Sequence, residues 1–263
     1  MKNIITFLIL SCFLSSCSSV LDTTKQTFHN KTAAPVGQAY IYEKSNLDGT
    51  NHASIAVYYR KQGDIEAFKW HSGNHAGTIV KAVIDQNSKN VLEFEVYRLS
   101  SKNGLKRQAM LDTTANGDIR VTLGENVQIF NEVPVRWHSY DFDFSSLSYA
   151  YRFLHDPKQT YNFHILDLDL SESPPQMKNF GLVSMRFEKQ DERGLKYSID
   201  GAGLDNRGGH IWFDPTELHM LAFEIQKPDE PGYESGKMTL KQIVQLTDES
   251  WEKFKLDAIS STH

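Results

Sequence analysis

The stretch NVLEFEVYRL (90–99) alternates. Leu92, Phe94 and Val96 point one way, and Glu93, Glu95 and Tyr97 the other. A period of two is the signature of a strand that buries one face and wets the other, and it is incompatible with a helix. The chain repeats this theme almost throughout. QAYIYEK (38–44), HASIAVYYR (52–60), IEAFKW (65–70) and GTIVKAVID (77–85) come before it. LKRQAMLDT (105–113), DIRVTL (118–123) and NVQIFN (126–131) follow it. Asp48-Gly49 and Asn116-Gly117 supply the hairpin turn chemistry between such runs.

A second series begins after an interruption: TYNFHILDLDL (160–170), NFGLVSMRFEK (179–189), LKYSIDG (195–201), GGHIWF (208–213), ELHMLAFEIQ (217–226) and GKMTLKQIVQL (236–246). Asp214-Pro215-Thr216 forms a tight connection between two of these runs. The interruption, DFDFSSLSYAYRFLHDP (141–157), changes period: Phe144, Leu147, Tyr151 and Leu154 fall on one helical face, Asp143 suits the N-cap and Pro157 closes the segment. This predicts a short amphipathic helix laid on a sheet. Thr247, followed by Asp248 and Glu249, can cap a terminal helix whose Trp251 and Phe254 face the body. The pattern predicts a mainly β fold: a single antiparallel β-barrel, or an incomplete half-barrel, of about a dozen strands with one or two short helices.

The chain opens MKNIITFLILSCFLSSCSS, which holds its only two cysteines, Cys12 and Cys17. Lys2 is followed by an apolar run from Ile4 to Leu14, the length of a signal-peptide core and well short of the roughly 20 residues that span a bilayer. Leu14-Ser15-Ser16-Cys17 resembles the lipobox of bacterial lipoproteins. That resemblance implies a signal peptide over 1–16, acylation of Cys17 and a lipid anchor in the membrane. Ser18, standing where an aspartate would retain the protein at the inner membrane, implies the outer membrane of a Gram-negative bacterium, with the body facing the periplasm. Cys12 reads as a bystander, a small hydrophobe within the core of the signal. Beyond Cys17 there is no thiol, so no disulfide staples the body. Residues 17–36 read as the lipidated cysteine with a polar tether, and 37–263 as the periplasmic barrel-like domain.

The strands GGHIWFDPTELHMLAFEIQKPDEPGYESGKMTLKQI resemble the closing part of the lipoprotein carriers and receptors of the LolA/LolB type. In that group an incompletely closed barrel wraps a short helix and holds acyl chains. The resemblance implies a hydrophobic ligand, a lipid or the acyl chains of another lipoprotein, and it carries over no contact residue by position. Large aromatics and one cation are the candidates to line such a site: Trp70, Phe94, Arg136, Trp137, Trp212 and Phe213. The same rings can equally fill a solid core. RWHSYDFDF (136–144) is the densest polar and aromatic cluster, readable as a cavity rim where Arg136 meets an anionic head group, or as a strand end and a helix cap.

Other chemistry has weaker footing. His71 and His75 lie four apart in WHSGNHAG, but Ser72-Gly73-Asn74 makes the segment a turn and no third ligand is identified. Asp167 and Asp169 share a strand face near His164, and the competing reading is a strand end before Pro174-Pro175. GLDNRGGH (203–210) lacks the strand-to-helix setting that cradles phosphate. No residue is assigned a catalytic role, a metal or a cofactor. The net charge of −5 is spread without a basic block, which argues against nucleic acid. Two other function classes stand beside ligand binding: an envelope scaffold acting through its sheet surface or edge, and a periplasmic hydrolase using the histidine or aspartate pairs.

Overall fold

The protein is described from a computed structural model, which covers residues 27–29, 33–140, 144–169, 171–227 and 233–260. The lipobox, Cys17 and the proposed N-cap Asp143 lie outside the described residues.

The first series of alternating runs forms a meander: β1 (Gln38–Ser45), β2 (Ala53–Lys61), β3 (Asp64–Trp70), β4 (Ala76–Ile84), β5 (Val91–Ser100), β6 (Gly104–Thr113), β7 (Ile119–Leu123) and β8 (Asn126–Phe130). The second comprises the two-residue β9 (Trp137–His138), then β10 (Tyr161–Asp169), β11 (Gln176–Asp191), β12 (Gly194–Asp200), β13 (Gly209–Phe213), β14 (Met220–Ile225) and β15 (Gly236–Gln245). Pairing of β1 with β15 joins the two meanders into one 15-stranded sheet, antiparallel except where β9 runs parallel to β10.

The edges of this sheet are β8 and β9, which are consecutive in the chain. A flat sheet of this many strands would hold its edges about 65 Å apart at the usual strand spacing. The backbone from Phe130 to Trp137 reaches about 25 Å at most. The sheet must therefore curl until its edges approach, and it does so without pairing them. The result is the incomplete barrel, open along one seam.

Alternation sorts the side chains. Tyr40, Tyr42, Ile55, Val57, Tyr59, Ile65 and Ala67 point inward to one large core shared with Phe163, Val183, Tyr197 and Phe213 from the other meander. Ala39, Ala56, Tyr58, Phe68 and Ile79 point outward into a smaller cluster, covered by Trp251 and Ile259 of α2 (Asp248–Ser260). Thr247 caps α2 by accepting the Ser250 N–H at 3.2 Å. Glu66 fixes α2 from the outer face of β3. It accepts from Trp251 Nε1 at 2.9 Å and from Arg60 at 2.8 Å, and pairs with the buried Lys255.

The other helix differs from the expected amphipathic one laid on a sheet. α1 (Ser145–Tyr151) is buried on every side, its three serines included. The cause is the curl, which brings strands from both meanders around it. Tyr149 stacks on Tyr59 of β2, Tyr151 lies 3.6 Å from Phe213 of β13 with rings nearly parallel, and Phe144 meets Phe223 of β14 edge-on. Phe144 itself turns the chain into α1 with φ 56°.

Part of the stretch read as tether belongs to the packed body. Phe28 pairs with Leu154, and its ring lies 4.9 Å from the Arg136 guanidinium and 5.9 Å from the Lys89 ammonium. The Ala34 N–H donates to Gln62 Oε1 at 2.8 Å. These groups close one end of the barrel.

Candidate functional site

At the opposite end the core is not filled. A cavity of about 530 Å³ lies between β4–β7 on one side and β9–β11 on the other. Its wall is apolar: Val80, Phe94, Val96, Met110, Leu111, Val121, Leu123, Trp137, Leu166, Leu168 and Met177 contribute, with Lys69, Thr78, Gln108, Ser139 and Asp167 at the polar positions. β9 supplies part of this wall through Trp137. Two residues of β9 pair with His164 and Ile165, and then parallel pairing stops. Beyond that point the Asp167 carboxylate takes over, accepting from Ser139 Oγ at 2.5 Å and from the Tyr140 N–H at 2.6 Å. Chain 139–140 is thus held beside β10 by a side chain in place of a ladder, and the wall stays thin there.

The sequence-derived candidates divide. Phe94 and Trp137 line the cavity. Trp70 is on the outer face, stacked 4.8 Å from Phe68 and 5.7 Å from Phe254 of α2. Trp212 is also on the outer face, under the Arg193 guanidinium at 3.7 Å. Phe213 belongs to the solid core against Tyr151. Arg136 packs at the closed end between Phe28 and Tyr161, away from the cavity. RWHSYDFDF therefore combines both readings: Trp137 and Ser139 are wall, and Arg136 and His138 are structural. His138 Nε2 and the Tyr161 hydroxyl lie 2.8 Å apart, and burial pushes the imidazole down to about 3. Met110, Leu123, Leu166, Leu168 and Met177 carried no individual signal. Their inward alternation was visible, but nothing along the chain marks which inward residues face space instead of each other.

The candidate catalytic groups do not converge. His71 Nδ1 sits 3.0 Å from the His52 carbonyl and His75 Nδ1 3.2 Å from the Ile259 carbonyl. Asp169 accepts from Ser171 and from Lys178 Nζ at 2.7 Å, and Lys178 holds its carboxyl down at about 2. His164 contacts Asn179, at 3.1 Å. Among the described residues, no group of three His, Cys, Asp or Glu side chains could hold a metal ion.

No protein-family model matches the chain, and no curated protein matches it. One similar solved structure is a β-barrel-like protein of the domain of unknown function DUF1849 from Brucella abortus. It shares 9% identity over 81% of this chain and 99% of that chain, with a TM-score of 0.46.

Proposed function

We propose that this protein binds a hydrophobic ligand, a lipid or an acyl chain, inside its incomplete barrel. The observation that carries the reading is the apolar cavity of about 530 Å³ with a few polar groups at its margin. Small-molecule sites occupy roughly 300–1,000 Å³ and are mostly apolar with few polar groups. The lipobox supports a place for it: a lipoprotein anchored through Cys17 to the outer membrane and facing the periplasm, where acyl chains are carried between membranes.

The test is native mass spectrometry with lipid extraction on the chain from Ser18, purified from the periplasm without detergent. Starting at Ser18 keeps Phe28, which the closed end requires. A co-purifying acyl-chain species supports the reading. A clean apo mass that persists after incubation with lipid vesicles refutes it. That result moves weight to the scaffold reading, which one observation favours: edge strand β8 leaves Val127 59% and Ile129 53% exposed beside an unpaired sheet edge.

A further inference from the structure

We propose that the seam between β8 and the start of β11 is the door to the cavity, and that Gln128 is its latch. This rests on the ligand-binding reading above.

The register of β7 with β8 sets Ile119 opposite Phe130 and Val121 opposite Gln128. Ile119, Val121 and Phe130 are all part of the inner core, so Gln128 is the polar member of an inward apolar column. Its amide crosses the seam. Nε2 donates to the Pro175 carbonyl at 2.7 Å, and Oε1 accepts the Met177 N–H at 3.4 Å. One side chain thereby imitates a rung of strand pairing between edge strand β8 and the start of β11, which share no ladder. Pro175 and Met177 are themselves cavity wall, so releasing the amide opens the wall directly.

Elsewhere among the described residues the wall is joined by ladders, apart from residues 139–140, which the charged Asp167 carboxylate holds with two short hydrogen bonds. Antiparallel ladders join β4 to β7 and β10 to β11, with one register shift in each of the β4–β5, β5–β6 and β10–β11 pairs. At the closed end the link from β8 to β9 is held by Asn90 of the β4–β5 turn, whose amide donates to the Val135 carbonyl at 2.9 Å and accepts the Trp137 N–H at 3.1 Å. There the chain itself runs from one edge to the other, so that end cannot part. At Gln128 two neutral hydrogen bonds hold the edges, and losing both shifts a local equilibrium by about tenfold or more.

The test uses the chain from Ser18, which holds no cysteine, and follows uptake and exchange of fluorophore-labelled palmitate. Gln128→Ala is expected to speed exchange about tenfold while changing Kd far less, since the amide acts on opening and not on the filled cavity. Gln128→Asn, which keeps the amide but is one methylene too short to span the seam, should do the same if Gln128→Ala folds poorly. Joining the thiols of a Gln128→Cys, Gln176→Cys variant with a cleavable cross-linker should slow exchange more than tenfold, and cleavage should restore it. Without any ligand, Gln128→Ala should lower hydrogen-exchange protection of the Met177 amide. Exchange that ignores the cross-link, or unchanged Met177 protection, overturns the door while leaving the binding reading standing. An unsubstituted chain that takes up no probe overturns both.

Discussion

Filling the cavity from its own wall separates empty space from packed core. Val96 lines the cavity on β5, between Val80 of β4 and Ala109 of β6, which line it too. Val96→Phe keeps a residue suited to a strand and adds about four carbon atoms that grow into the space. A ligand then loses contact for about three methylenes. At about 0.8 kcal/mol each this is about 2 kcal/mol, a roughly thirtyfold weaker Kd. Stability should hold or rise slightly, because nothing is displaced. Val183→Phe is the contrast. Val183 is fully buried in the same core, and the inward Gly203 already approaches it closely enough that an added Cβ would come within 2.8 Å. There the same enlargement overpacks and should cost about 1–3 kcal/mol. Urea unfolding followed by far-ultraviolet circular dichroism reads stability, and titration with labelled palmitate reads binding. If Val96→Phe destabilises the chain as much as Val183→Phe does, the space is not there. If it leaves Kd unchanged, the ligand is elsewhere.

Three further outcomes follow from the packing. Glu66→Leu leaves the buried Lys255 with only the more exposed Glu252 and unpairs Trp251 Nε1, and should cost about 3 kcal/mol, of which adding Lys255→Met should recover a part; strictly additive losses in urea would show that the two side chains are not coupled. Burial holds His138 at about 3 and His219 at about 4, so both fold neutral. As pH falls below about 6.5 the unfolded chain takes up protons that the folded chain refuses, and stability should drop by about 1.4 kcal/mol per pH unit for each histidine down to those values. His138→Gln should remove one proton from the measured uptake on unfolding, and an unchanged uptake would mean that His138 is not buried neutral. Phe28→Ala empties a half-buried site between Arg136, Lys89 and Tyr161 and should cost about 1–3 kcal/mol by thermal melting; a loss below measurement error would return residues 27–29 to the tether.

Much of this architecture was legible, and the illegible parts share a cause. Fourteen strands fall on the alternating runs within a few residues, since each run records its own burial pattern. β9 left no trace, because two residues contain no period. α1 reads as amphipathic because Ser145, Ser146 and Ser148 separate its apolar positions, yet the curled sheet encloses the serines as well. The site shows the same limit. Phe94 and Trp137 were found as aromatics, and so were Trp70 and Trp212, which lie on the other face. Normally the outer face of a sheet is wet, and an apolar residue there would stand out. Here α2 covers part of it and Arg193 covers Trp212, so both faces carry aromatics and composition cannot tell them apart. The cavity depends on the meeting of β4–β7 with β9–β11, which no local pattern encodes.

The two ends of the barrel divide the work. Along β10, Tyr161 belongs to the closed end and Leu168 to the cavity, about 23 Å apart at strand rise. At the closed end Arg152 donates to the Tyr40 hydroxyl and the Glu217 carbonyl, Lys89 sits 4.1 Å over Phe153, and Phe28 ties the incoming chain to Leu154. Long side chains with several partners lock that end, and the chain enters there. At the other end the wall is mostly apolar, and among the described residues the Gln128 amide joins β8 to the start of β11.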